Sequence, residues 1–141
     1  MISVFENCVK LEKIEISGFN TNQVKSIKKI FYNTGLSQFD FSKINIISTS
    51  IEDMSYMFGG LKSENLVISN LKTDNAVDIS HMFENCKSLT SLDITSFNTN
   101  NVKNMANIFH NCSGSMKKNP LRVFPSGNRS ARRPKGRRRE G

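Results

Sequence analysis

Residues 83–109 read FENCKSLTSLDITSFNTNNVKNMANIF, and residues 5–31 read FENCVKLEKIEISGFNTNQVKSIKKIF. Aligned without gaps, about half of the positions are identical, and self-similarity at a fixed spacing decides an architecture before any local signal does. The phenylalanines that open each unit are Phe5, Phe31, Phe58, Phe83 and Phe109, at steps of 26, 27, 25 and 26 residues. Four units therefore fit before the partial fifth, which begins FHNC at Phe109.

Two periodicities divide each unit. Leu92-Asp93-Ile94, Ile14-Glu15-Ile16 and Phe39-Asp40-Phe41 alternate apolar and polar, the period of a short strand; Leu66-Val67-Ile68 departs by placing Val67 outward. Val102, Met105, Ile108 and Phe109 then follow at i, i+3, i+6 and i+7, which predicts about two turns of helix. Thr21-Asn22, Ser48-Thr49, Thr73-Asp74 and Thr99-Asn100 stand just upstream of these stripes, and all are good helix N-caps. The expected fold is α/β: a leucine-rich-repeat-like solenoid of about four strand–turn–helix repeats with a period of 25–27 residues. Strands about 4.8 Å apart would form one wall and helices the other. Met1 and Val4 match Met105 and Ile108 in register, so the chain is expected to open in mid-helix, as a piece of a longer array.

Composition divides the chain at Cys112. Residues 1–112 hold ten Lys and eleven acids, a net charge of −1. Residues 113–141 hold three Lys, seven Arg and Glu140, a net charge of +9, and all 3 Pro. The first part is expected to be the repeat domain and the second a disordered basic tail. RSARRPKGRRR suits weak contact with polyanions; no aromatic alternates with the basic residues, so base readout is not indicated. The shift to Arg, Pro and Gly also fits a change of coding bias, such as a frameshift or fused segment. No signal peptide and no run of 18 apolar residues occurs, so no membrane span is expected.

The units are similar to the BspA-like leucine-rich repeat of bacterial and protist surface proteins, whose unit runs close to MF-x-NC-x-x-L-x-x-L-D-I-S-x-F-N-T-S-N-V-x-N-M. The match is tight in the first and fourth units, partial in the second and third, and absent from the tail. This resemblance implies a leucine-rich solenoid, a cell-surface or secreted location, and adhesion or protein binding without enzymatic activity.

No paired acid and base, activated nucleophile or metal-ligand spacing appears, so no enzyme, cofactor or metal is expected. Cys8, Cys86 and Cys112 share a register filled by Thr34 and Leu61 elsewhere, which describes a small buried slot; a Cys86–Cys112 disulfide between neighbouring units is the alternative. His81 and His110 are expected to be solvated, and Gly59-Gly60 to cap a helix with a left-handed Gly. The outward strand row is the candidate binding face for a protein or glycan: Glu15 and Ser17, Asp40 and Ser42, Val67 and Ser69, Asp93 and Thr95. Glu15 and Asp40 would lie on adjacent rungs and repel mildly. A spacer role within a longer array is the competing expectation.

Overall fold

The computed structural model describes residues 2–16, 21–44, 46 and 49–112. The chain winds into stacked coils, one per sequence unit. Three short strands, β1 (Phe39–Asp40), β2 (Asn65–Val67) and β3 (Ser91–Leu92), form one parallel sheet in the order β1-β2-β3. Phe39 pairs with Leu66 and Asp40 with Val67; Asn65 pairs with Ser91 and Leu66 with Leu92. A second parallel line of single bridges joins Ser26, Asp53, Asp78 and Asn104.

The strand–turn–helix expectation fails at its helices. Among the described residues the one helical element is a 3-10 turn at Phe41–Lys43, started by the Asp40 side chain accepting from the Ser42 amide. Where helices were expected, the backbone bonds sideways to the next coil. The amides of Met54, Tyr56, Phe58 and Gly60 donate to the carbonyls of Asp78, Ser80, Met82 and Glu84 at 2.7–3.0 Å. Ile79, His81, Phe83 and Asn85 donate in the same way to Asn104, Ala106, Ile108 and His110 at 2.8–2.9 Å. An amide committed to its neighbouring coil cannot also close a helical turn.

Left-handed residues enforce this path. Positive φ recurs at two registers, one holding Ser3, Lys29, Tyr56, His81 and Asn107, the other Asn7, Asn33, Gly60, Asn85 and Asn111. Each reverses the local winding, so the chain makes successive four-residue turns instead of a helix. Met57 closes a turn by donating to the Met54 carbonyl, and Leu61 closes the next on Phe58. These turns bury Ile51, Met54, Met57, Phe58 and Leu61, which reproduces the apolar stripe without a helix. Asn and Gly hold the second register because they adopt this conformation at least cost. Gly60 is left-handed as expected (φ 70°), but it caps no helix.

Nor do the expected N-caps among the described residues cap helices; Ser48 lies outside them. Thr21, Thr73 and Thr99 are buried, and each carbonyl closes a single turn, to Val24, Ala76 and Val102 respectively. The Thr73 hydroxyl instead crosses to the next coil, donating to the Asn98 carbonyl at 2.9 Å and accepting from the Asn98 amide at 2.8 Å.

A phenylalanine stack runs through the core. Phe5, Phe31, Phe58, Phe83 and Phe109 lie ring on ring, with successive centroids 5.5–6.1 Å apart and planes within 9°. These separations fall in the favourable range for offset aromatic pairs. Phe39 and Phe41 pack obliquely and edge-on against Phe58, while Leu36, Ile51, Leu71 and Ile79 fill the remaining interior. The basic tail, residues 113–141, lies outside the described residues.

Candidate functional site

The strand row was the site expected from sequence, and the sheet brings its second, third and fourth rungs together. Val67 sits beside Asp40, and the β2–β3 register continues toward Asp93. Val67 is 47% exposed, one of the few large apolar side chains facing solvent. Asp40 is half-buried, and Ser42, Ser69, Asp93 and Thr95 are exposed.

The first rung does not join. Glu15 is exposed and outside the sheet, bonded to Lys13 at 2.8 Å. That bond lowers its carboxyl pKa, with Lys43 adding a smaller favourable field. The neighbours that act on the Glu15 charge are thus cationic. Ser17 lies outside the described residues.

Both ladder aspartates hold the backbone. Asp40 Oδ1 accepts from the Ser42 hydroxyl at 2.5 Å and the Ser42 amide at 3.0 Å. Asp93 Oδ1 accepts from the Thr95 hydroxyl at 2.7 Å and the Thr95 amide at 2.9 Å. Such local turns fix the chain where it leaves the strand. In each case the hydroxyl bond, supported by the amide bond, lowers the carboxyl pKa. One oxygen of each carboxylate is thus structural, and Ser42 and Thr95 are already donating inward. What remains for a ligand is an apolar Val67 flanked by two positioned negative charges.

A second surface chain was not foreseen. Glu6 bonds Lys29 at 2.9 Å, and the Lys29 ammonium lies 5.2 Å from the Tyr32 ring centroid and 5.8 Å from that of Tyr56. Tyr56 stacks on His81 at 4.3 Å with planes 3° apart. His81 and His110 each place Nδ1 against Glu84, at 3.0 and 3.1 Å. His81 is therefore fixed and only 21% exposed at its side chain, contrary to the expectation of a solvated ring; His110 is 61% exposed. Tyr32 lies so close over Gly59 that an added Cβ there would stand 2.8 Å from the ring. The residues of this chain are each occupied by a neighbour, which makes it a clamp between coils. The signal for it was the shared register of Glu6, Tyr32, Gly59, Glu84 and His110, one residue past each phenylalanine.

The cysteine slot is a row of inward donors. The Cys86 and Cys112 thiols donate to the carbonyls of Phe58 and Phe83, at 3.1 and 2.8 Å. Both are free and buried, whereas Cys8 is free and exposed. Burial pushes the Cys86 pKa up to about 12, which makes it a poor nucleophile. Among the described residues no group of three His, Cys, Asp or Glu side chains is placed to hold a metal, and no helix is long and apolar enough to cross a membrane.

Comparison with known families follows the repeat region. A family described as "Mycoplasma protein of unknown function, DUF285" matches residues 1–49 and 36–120. The chain belongs to this family. Membership is compatible with the BspA-like resemblance of the units, and it spans the coils together with the first residues of the tail. No curated protein and no solved structure matches the chain.

Proposed function

We propose that this DUF285 chain is a recognition module that binds a protein or glycan through the outer face of its parallel ladder, in the manner of a surface adhesin. The observation that carries this reading is Val67, an exposed apolar side chain on the central strand of the sheet beside Asp40. An apolar centre with a charged rim is the usual anatomy of a binding patch. Asp93 supplies the second charge, and Ser69 an exposed hydroxyl. The BspA-like resemblance supports a cell-surface or secreted setting, and the face calls for neither catalytic group nor cofactor.

The experiment is a binding screen of the full chain against matrix proteins and glycans, with hits repeated on Val67→Asp and on Asp40→Asn with Asp93→Asn. Asparagine keeps the Oδ1 acceptor of each turn while removing the charge. Loss of binding in Val67→Asp supports the face; unchanged binding in both variants removes the site from it. A screen without hits favours a spacer role.

The tail carries a separate proposal, polyanion contact, from its +9 charge. Retention of the full chain on heparin should fall steeply with salt and fall further when the tail arginines are replaced by glutamine.

A further inference from the structure

A different stretch of each coil forms an open polar groove of about 470 Å³. One wall is the row Lys25, Glu52, Val77 and Lys103, which takes one residue from each of four successive coils. Thr49 and Ser50 of one coil, with Asn75 and Asn101 of the next two, complete the lining. We propose that this groove is a second binding site, for a short oligosaccharide carrying a single carboxylate.

Three properties of the groove select that ligand. The first is rigidity. Asn75 Nδ2 donates to the Thr49 carbonyl at 2.5 Å and Asn101 Nδ2 to the Asp74 carbonyl at 2.6 Å, so both amides are anchored across coils. Each anchored amide keeps its Oδ1 and second N–H for a hydroxyl-rich ligand, with little side-chain entropy left to lose. The second is an apolar spot. Val77 is half-buried between Glu52 and Lys103, where the C–H face of a sugar ring can rest.

Charge is the third property. Lys25 is bonded to Glu52 at 2.8 Å, which neutralises that end of the row. Lys103 is exposed and has no ion-pair partner among the described residues, so the other end carries one uncommitted cation. A ligand with many carboxylates finds one uncommitted cation for them all, whereas one with a single carboxylate places it on Lys103. The glutamate then accepts sugar hydroxyls. A long peptide is less well served, since the groove offers no unpaired strand edge of the kind that captures extended backbone.

The test uses the full ¹⁵N-labelled chain titrated with aldotriouronic acid, a trisaccharide with one uronic acid, alongside uncharged xylotriose and sodium acetate. Expected is saturable millimolar binding of the acidic trisaccharide, with shifts at the amides of Asn75, Val77, Asn101 and Lys103. Lys103→Ala should weaken it about tenfold, to the level of xylotriose, the loss expected for one charge-assisted bond. Val67→Asp should leave it unchanged, which separates this site from the ladder face. The proposal is overturned by absence of saturable shifts, by equal affinity of wild type and Lys103→Ala, by equal response to acetate, or by shifts confined to the residues around Val67.

Discussion

Asn111 donates from Nδ2 to Oδ1 of Asn85 across 2.6 Å, and both residues hold a left-handed backbone, with φ of 57° and 60°. Asn33 and Asn7 repeat the relationship at 2.9 Å three coils earlier. At Asn7, Asn33, Asn85 and Asn111 the second residue past the opening phenylalanine thus does two jobs: it turns the chain, and its side chain ties one coil to the next; Gly60 supplies the turn alone. Asn85→Ala should cost about 1–2 kcal/mol, because alanine adopts this conformation poorly. Asn85→Gly should cost less, since only the side-chain bond is lost. Thermal unfolding of the two variants checks the ranking, and equal losses would contradict the left-handed account.

The aromatic stack should be most sensitive at its middle. Phe58 is fully buried between Phe31 and Phe83, so Phe58→Ala should destabilise by about 3–5 kcal/mol. Phe5 is only half-buried, and Phe5→Ala should cost clearly less in the same denaturant titration.

Thiol labelling should separate the three cysteines. Cys8 should react quickly with a thiol reagent in the native protein, while Cys86 and Cys112 stay protected until it unfolds. A count of labelled thiols by mass spectrometry, native and denatured, gives the answer. Fast native labelling of Cys86 would be inconsistent with its burial and raised pKa.

Acid should loosen the exits of β1 and β3. The folded pKa of Asp40 and of Asp93 is lowered by the hydroxyls of Ser42 and Thr95. Their stabilising effect is therefore fully present above the unfolded carboxylate pKa, and it is lost as pH falls through the lower folded values. Thr95→Ala should raise the Asp93 pKa toward the ordinary carboxylate value. Carboxyl-carbon NMR titration measures this directly, and an unchanged Asp93 midpoint would count against the turn.

Much of the interior was legible from residue types. The alternation at Phe39-Asp40-Phe41 and Leu66-Val67-Ile68 placed Phe39, Phe41, Leu66 and Ile68 inside and Val67 outside, as they are found. The Phe register gave the stacking partners. What could not be separated was a helix from tandem turns, because Ile51, Met54, Met57 and Phe58 bury at spacings of three and one under either winding. The deciding signal was the Asn or Gly at positions 7, 33, 60, 85 and 111, which marks left-handed backbone. The ladder face was visible as a polar row, but the inward bonds of Asp40 and Asp93 depend on the bend after each strand. The groove draws on one row four coils long and further residues from three of those coils, too varied to announce a motif.

The central claim is that the segment from Ile79 to Asn85 bonds across coils and forms no helix. Hydrogen-bond scalar couplings in a ²H,¹³C,¹⁵N-labelled sample test it most directly. Correlations are predicted from the amides of His81, Phe83 and Asn85 to the carbonyls of Ala106, Ile108 and His110. Correlations from these amides to carbonyls four residues earlier, with helical carbon shifts, would contradict the account.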